Sequence, residues 1–199
     1  DQRQVLSEIA GDMAGPLRML RLLQGDVGSG KTVVALIAMA IAVEAGAQAA
    51  LMAPTDVLAR QHMETLAKLG APAGLRFGLL TGRERAKARR DVLAALEAGE
   101  IDILVGTHAL FQEGVAFRDL GLAVIDEQHR FGVHQRLQLS SKGRGVDTLV
   151  MTATPIPRTL ALTTYGDMDV SRIRQKPAGR KPIQTRVLPM DRMDQVIDA

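Results

Sequence analysis

Gly25-Asp26-Val27-Gly28-Ser29-Gly30-Lys31-Thr32 is the stretch on which the fold turns. It satisfies the phosphate-binding pattern G-x-x-x-x-G-K-[ST] at every required position, and its flanks decide whether the match carries meaning. Before it, Met19 to Gln24 is a short, mostly apolar run that suits a buried strand. After it, Val33 to Val43 is apolar without a break and meets Glu44-Ala45-Gly46, a helix body with a glycine where a C-terminal cap belongs. In that setting the glycines let backbone N–H groups turn inward around phosphate oxygens, and the helix N-terminus adds partial positive charge. Gly25, Asp26, Val27, Gly28, Ser29 and Gly30 are therefore expected to cradle the phosphates of a nucleotide. Lys31 is expected to meet the terminal phosphates and the Thr32 hydroxyl to hold magnesium. The plain alternative is a glycine-rich turn ahead of a buried helix, and the loop by itself does not say what the nucleotide is used for.

Working outward, strands and helices alternate along the chain. Upstream, Val5, Leu6, Ile9 and Met13 recur at helical spacing and Gly15-Pro16 closes that helix. The chain begins inside the helix with no cap ahead of it, which is expected of an excised fragment. Downstream, Ala47 to Ala53 reads as a second strand, followed by Pro54-Thr55 and a helix capped by Thr55 or Asp56. That helix is expected to carry Val57, Leu58, Leu66 and Leu69 toward a core and to stop at Gly70. Further strands are expected at Leu75 to Leu80, Ile101 to Val105, Leu120 to Ile125 and Asp147 to Met151, with a basic helix from Arg83 to Ala98. Small polar or acidic residues fall just after the strands' C-terminal ends, where an open parallel sheet places its ligands. Beyond Tyr165-Gly166 the character changes. Lys176 to Pro182 is basic and rich in Pro and Gly, as a linker is, and Ile183 to Leu188 alternates like a strand. The expected organisation is a domain over residues 1–175, a linker over 176–182, and the start of a second domain over 183–199.

Composition narrows the class. At 199 residues, with 46% hydrophobic and 24% charged residues, the chain suits one well-buried α/β domain rather than a disordered segment. It has no cysteine, so disulfides and thiolate metal sites are excluded. The longest apolar run, Val33 to Val43, is too short to span a bilayer, no signal peptide is visible, and a cytoplasmic location with no membrane partner is expected. The net charge is only +3, but Arg83, Arg85, Lys87, Arg89 and Arg90 crowd together, and six basic residues and no acid lie between Arg172 and Met190. Such patches suit a phosphate backbone, although a solvated helix face or a linker explains each as well. With no Trp and one Tyr, base stacking has little to work with, so any nucleic acid would be held through its backbone.

The second half of a nucleotide site follows the fifth strand. Val124-Ile125-Asp126-Glu127 is an apolar strand ending in paired acids. Asp126 is suited to hold magnesium opposite Thr32, and Glu127 to orient and deprotonate the water that attacks a γ-phosphate. Alone, an Asp-Glu pair after a strand is a capped turn; the upstream loop reverses that reading. His129 has no second His or Cys at a suitable spacing, so metal ligation there is not expected.

Asp126-Glu127-Gln128-His129 resembles motif II of the superfamily-two helicases, and Thr152-Ala153-Thr154 resembles their motif III. Ala53-Pro54-Thr55 resembles motif Ia, and Thr81-Gly82 and Gly106-Thr107 resemble the small DNA-backbone contacts that follow it. The longer strings Leu23 to Thr32, Arg130-Phe131-Gly132-Val133 and Thr154-Pro155-Ile156-Pro157-Arg158-Thr159 together resemble the RecG family of branch-migration helicases. The Mfd family of transcription-repair coupling translocases shares the last two, but Ser29 and Gln128-His129 are closer to RecG.

The resemblance implies a RecA-like P-loop NTPase domain, α/β, with a mostly parallel sheet flanked by helices on both faces. It would be the first motor domain of an ATP-dependent DNA helicase, with ATP and magnesium as cofactors. Gln2 would read adenine, Lys31, Asp126 and Glu127 would drive hydrolysis, and Gln128, His129, Thr152 and Thr154 would relay nucleotide state to the DNA side. Pro54, Thr55, Thr81, Gly82, Gly106 and Thr107 would contact the DNA backbone. The implied partners are double-stranded and branched DNA, a second RecA-like domain and a DNA-wedge domain. The implied role is remodelling of stalled replication forks in recombination and repair. Neither the wedge domain nor the second motor domain's motifs, its arginine finger among them, are in the sequence, so the fragment alone is expected to be nearly inactive. Two alternatives stay open: an Mfd-type motor domain, or a P-loop NTPase unrelated to nucleic acid.

Overall fold

The computed structural model describes residues 1–112, 114–126, 145–154, 168–175 and 189. Their elements run α1 (Gln2–Met13), β1 (Leu20–Gly25), α2 (Lys31–Glu44), β2 (Gln48–Met52), α3 (Asp56–Gly70), β3 (Phe77–Leu80), α4 (Ala86–Ala98), β4 (Ile103–Gly106), β5 (Leu120–Asp126), β6 (Asp147–Thr152) and β7 (Asp169–Ile173). Short 3-10 turns cover Ala71–Ala73 and His108–Phe111. The strands form one sheet in the order β3-β4-β2-β5-β6-β1-β7, and every neighbouring pair is parallel. A parallel sheet directs all its strand C-termini to one edge, so the expected site residues at those ends necessarily share it.

Alternation along each strand divides the core into two layers. Leu23, Leu51, Val105, Val124 and Met151 point to one face, where they meet Val5 and Ile9 of α1, Val34 and Met39 of α2, and Leu66 of α3. Leu22, Ala50, Leu104, Ile125 and Val150 point to the other, where they meet Leu96 of α4 and Leu110. Strands buried on both sides read as continuous apolar runs, which is why they were visible in the sequence.

Local chemistry sets the helix limits. The Thr55 hydroxyl accepts from the Leu58 N–H at 3.3 Å and caps α3. After α2, Gly46 adopts φ +86° and its N–H bonds Val43 O. Three expectations are corrected. Val57 and Leu69 lie at the surface, Val57 being 73% exposed, because the inward stripe of α3 is set by Ala59 and Leu66, and Val57 is about 200° around the helix from Ala59. The basic helix starts at Ala86 rather than Arg83, because the Glu84 carboxylate accepts from both the N–H and the hydroxyl of Thr81 and shapes residues 81–85 as a turn. Finally, β3 starts at Phe77 rather than Leu75, where Arg76 turns away to pair with Asp102 through Nε (3.0 Å) and Nη2 (2.5 Å).

The edge strand β7 was not anticipated at all. Its inward residues are Ser171 and Ile173, and the Ser171 hydroxyl sits in a polar junction between sheet and helix. There, buried Arg21 of β1 donates to Asp12 at 2.7 Å and to Ser171 at 2.8 Å, while Ser171 donates to Glu8 of α1. Asp1 accepts from the N–H groups of Arg174 and Gln175 at 2.9 and 2.8 Å. These contacts dock α1 along β1 and β7 and fix where Gln2 lies. The expected linker at 176–182 and strand at 183–188 lie outside the described residues, as do the Arg130–Val133 and Pro155–Thr159 strings.

Candidate active site

The loop between β1 and α2 is closed by its own side chains. Lys31 reaches back so that Nζ donates to Gly25 O at 2.8 Å and to Asp26 O at 3.1 Å. Asp26 Oδ1 accepts from the Val27 N–H at 2.8 Å, and Ser29 N–H bonds Asp26 O at 3.1 Å. Gly30 caps α2 at φ +92°, a left-handed conformation open to glycine, and a Cβ there would collide with the Gln2 amide nitrogen. Gln2 Nε2 donates to Ser29 O at 2.8 Å, so the start of α1 rests directly on the loop.

Two strand spacings away, about 10 Å along the sheet, β5 ends at Asp126. Between them lies the end of β6, in register with both: Gln24 pairs with Thr152, and Met151 with Asp126. Thr152 Oγ1 lies 2.9 Å from Thr154 Oγ1 and accepts from the Thr154 N–H at 3.1 Å, a closed hydroxyl turn. Gln24 ties that turn to the loop strand, donating to Thr154 O at 3.2 Å and accepting from Arg172 Nε of β7 at 3.0 Å. A cleft of about 380 Å³ opens beside the loop, lined by Gln24, Gly25, Asp26, Ala153, Arg172 and Arg174.

The donor set fits magnesium with a phosphate ligand. Thr32 and Asp126 offer one hydroxyl and one carboxylate, hard oxygens of the kind magnesium takes in small number beside phosphate oxygens. Among the described residues no group of three or more His, Cys, Asp or Glu could hold a metal unaided. Ser29 Oγ is buried in the loop with no hydrogen-bond partner, an orphaned polar atom where a polar ligand belongs.

His62 is a candidate site residue that no sequence motif marks. Its Nε2 lies 2.7 Å from Asp126 Oδ2, and the two side chains are only 14% and 12% exposed. A signal was available: His62 follows Ala59 and precedes Leu66 at helical spacing, a titratable group on an otherwise apolar stripe. Gln24 and Arg172 were also missed as site residues.

Pro54, Thr55 and Gly82 are exposed at the same sheet edge, at the ends of β2 and β3. Thr81 is 1% exposed, with its hydroxyl committed to Glu84, and Gly106 and Thr107 are buried at the end of β4. Glu127, Gln128 and His129 lie outside the described residues. Among the described residues no helix is long and apolar enough to cross a membrane.

The DEAD/DEAH box helicase family matches residues 1–163. The chain is 57% identical over 196 residues to the ATP-dependent DNA helicase RecG of Streptococcus pneumoniae and 55% identical to that of Bacillus subtilis, covering 98% of this chain and 29% of each relative. The chain thus spans less than a third of the length of these relatives. Among solved structures, RecG bound to a three-way DNA junction superposes with a TM-score of 0.84 at 47% identity, covering 99% of this chain and 26% of that one. The Pyrococcus furiosus Hef helicase domain shares the fold, with a TM-score of 0.62 at 19% identity over 86% of this chain and 37% of that one.

Proposed function

Since the chain belongs to the DEAD/DEAH box helicase family and its curated relatives are RecG helicases, we propose that it is the ATP-hydrolysing first motor domain of a double-stranded-DNA translocase that remodels stalled forks and branched DNA. The observation that carries this reading is the alignment of three strand ends: the Gly25–Thr32 loop on β1, the Thr152–Thr154 turn on β6 and Asp126 on β5. A similar chain solved on a three-way DNA junction supports branched DNA as the partner.

In this proposal Lys31 exchanges its two carbonyl acceptors for phosphate oxygens, trading neutral for charge-assisted bonds. Gln2, already against the loop, is assigned to the adenine edge, and Thr32 and Asp126 hold magnesium. Magnesium bound there would neutralise charge on the nucleotide's phosphates. Glu127, next in sequence to Asp126, orients and deprotonates the attacking water. Gln24 links loop and hydroxyl turn, so a displacement of the loop by nucleotide moves Thr152 and Thr154 with it. Gln128 and His129 are assigned to the same relay. Pro54, Thr55 and Gly82 face the DNA backbone at the same edge, backed by Thr81, Gly106 and Thr107. The second motor domain and a wedge domain of the full-length protein complete the machine.

The test is ATP hydrolysis by the full-length protein with and without three-way junction DNA. Junction DNA is expected to raise turnover, Lys31→Ala to abolish nucleotide binding, and Glu127→Gln to keep ATP bound while slowing turnover by about 10²-fold or more. Wild-type turnover in Glu127→Gln, or indifference to DNA, overturns the assignment.

A further inference from the structure

The geometry points to His62 as a positioning residue for the magnesium carboxylate, an inference that rests on the reading of Asp126 given above. Asp126 ends an otherwise apolar strand, and nothing about that place in the chain fixes the rotation of its carboxylate. His62 does, through the 2.7 Å contact of Nε2 with Oδ2. A carboxylate oxygen accepts, so Nε2 carries the hydrogen and donates. Both side chains are largely withdrawn from solvent, where such a bond is stronger than in water and costly to leave unmade. With Oδ2 held by His62, Oδ1 would be left for the metal or its bound water.

The anchor is itself rigid. His62 stands on α3 between Ala59 and Leu66, both fully buried, and the helix packs on β3 and β4. The same helix is capped by Thr55, in the segment assigned to DNA. One rigid element therefore joins that segment to the magnesium carboxylate, and a shift of α3 would turn Asp126. Partners that orient a metal-ligating carboxylate typically account for about 10- to 100-fold in metal affinity.

The experiment measures binding of mant-ADP to the full-length protein as free magnesium is varied, and again in EDTA. Asp126→Asn tests the underlying reading: it is expected to remove most of the magnesium dependence, and if it does not, Asp126 is not at the metal. Given that result, His62→Ala is expected to raise the magnesium concentration for half-maximal binding at least about 10-fold, leaving affinity in EDTA unchanged. His62→Gln, which can place an N–H near Nε2, is expected to recover most of the loss. The proposal is overturned by an unchanged magnesium dependence in His62→Ala. It is equally overturned by a tightened one, which would mean that His62 competes for the carboxylate. Equal loss with and without magnesium would reduce His62 to a packing role and also overturn it.

Discussion

Removing the Gln48 side chain should cost this fold heavily for its size. Gln48 is 3% exposed at the start of β2, and its side-chain amide uses both ends. Nε2 donates to Leu96 O at 2.9 Å and Ile101 O at 2.7 Å, while Oε1 accepts from the N–H groups of Arg118 at 2.8 Å and Asp119 at 3.3 Å. One side chain thus joins the end of α4, the approach to β4 and the approach to β5. Gln48→Ala would strip a partner from all four groups, and only Leu96 O has a second one shown, the Gly99 N–H at 3.1 Å. At about 1–3 kcal/mol for each of the other three, less whatever entering water recovers, the expected loss is about 4 kcal/mol. That is a large fraction of the stability of an ordinary domain. In urea denaturation followed by circular dichroism, with a slope of about 2 kcal/mol/M, the midpoint should fall by about 2 M.

Gln48→Glu sharpens the test. It keeps the acceptor but sets an oxygen against Leu96 O and Ile101 O, so burial and those carbonyls would raise the new group's folded pKa above its unfolded value. A raised folded pKa means stability gained as pH falls through it, so the Glu variant's deficit should shrink on acidification. A midpoint shift under about 0.5 M for Gln48→Ala, or a pH-independent deficit for Gln48→Glu, would refute the reasoning.

Gly106→Ala drives a Cβ into the backbone oxygen of Leu80, a clash no rotamer relieves. Amide hydrogen exchange across β3 and β4 should show weakened protection, and native protection would contradict the close approach. Burial pushes the Asp147 carboxyl above the usual carboxylate range, with the Met19 N–H opposing it through a 2.8 Å bond to Oδ1. An asparagine keeps that acceptor without the buried charge, so Asp147→Asn should match or exceed wild-type melting temperature at neutral pH. Wild type should gain on the variant as pH falls through the raised value, and a variant much weaker at neutral pH would show that the charge is needed. Arg83, Arg85, Lys87, Arg89 and Arg90 cluster around the start of α4, all exposed but Arg89, which is partly buried. Neutralising them should lower the salt dependence of DNA binding by about 0.9 in the log–log slope for each phosphate they would otherwise neutralise, whereas an unaltered slope would make them a solvated surface.

The pattern of success and failure in the sequence reading follows the range of the interactions involved. Six strands and four helices were legible because a strand buried on both faces is a short apolar run and a packed helix repeats at 3.6 residues. The phosphate loop was legible because all its chemistry lies within eight consecutive residues. Strand β7 was not, because an edge strand needs little apolar surface, and its inward serine is satisfied by Arg21 and Glu8, 150 and 163 residues away. The start of α4 was misplaced for a smaller reason of the same kind: a carboxylate three residues from Thr81 captured the turn.

For the site, the residue types proposed to face phosphate and magnesium could be read from the sequence by itself, since spacing along the chain marks those of the loop and Asp126. Only the tertiary structure decided that β6 lies between β1 and β5, that Gln24 ties the hydroxyl turn to the loop, and that His62 holds Asp126 from 64 residues away. Local periodicity carries no information about which strand ends become neighbours. That is settled by the packing of the whole sheet, and the contacts orienting the reactive groups are among its consequences.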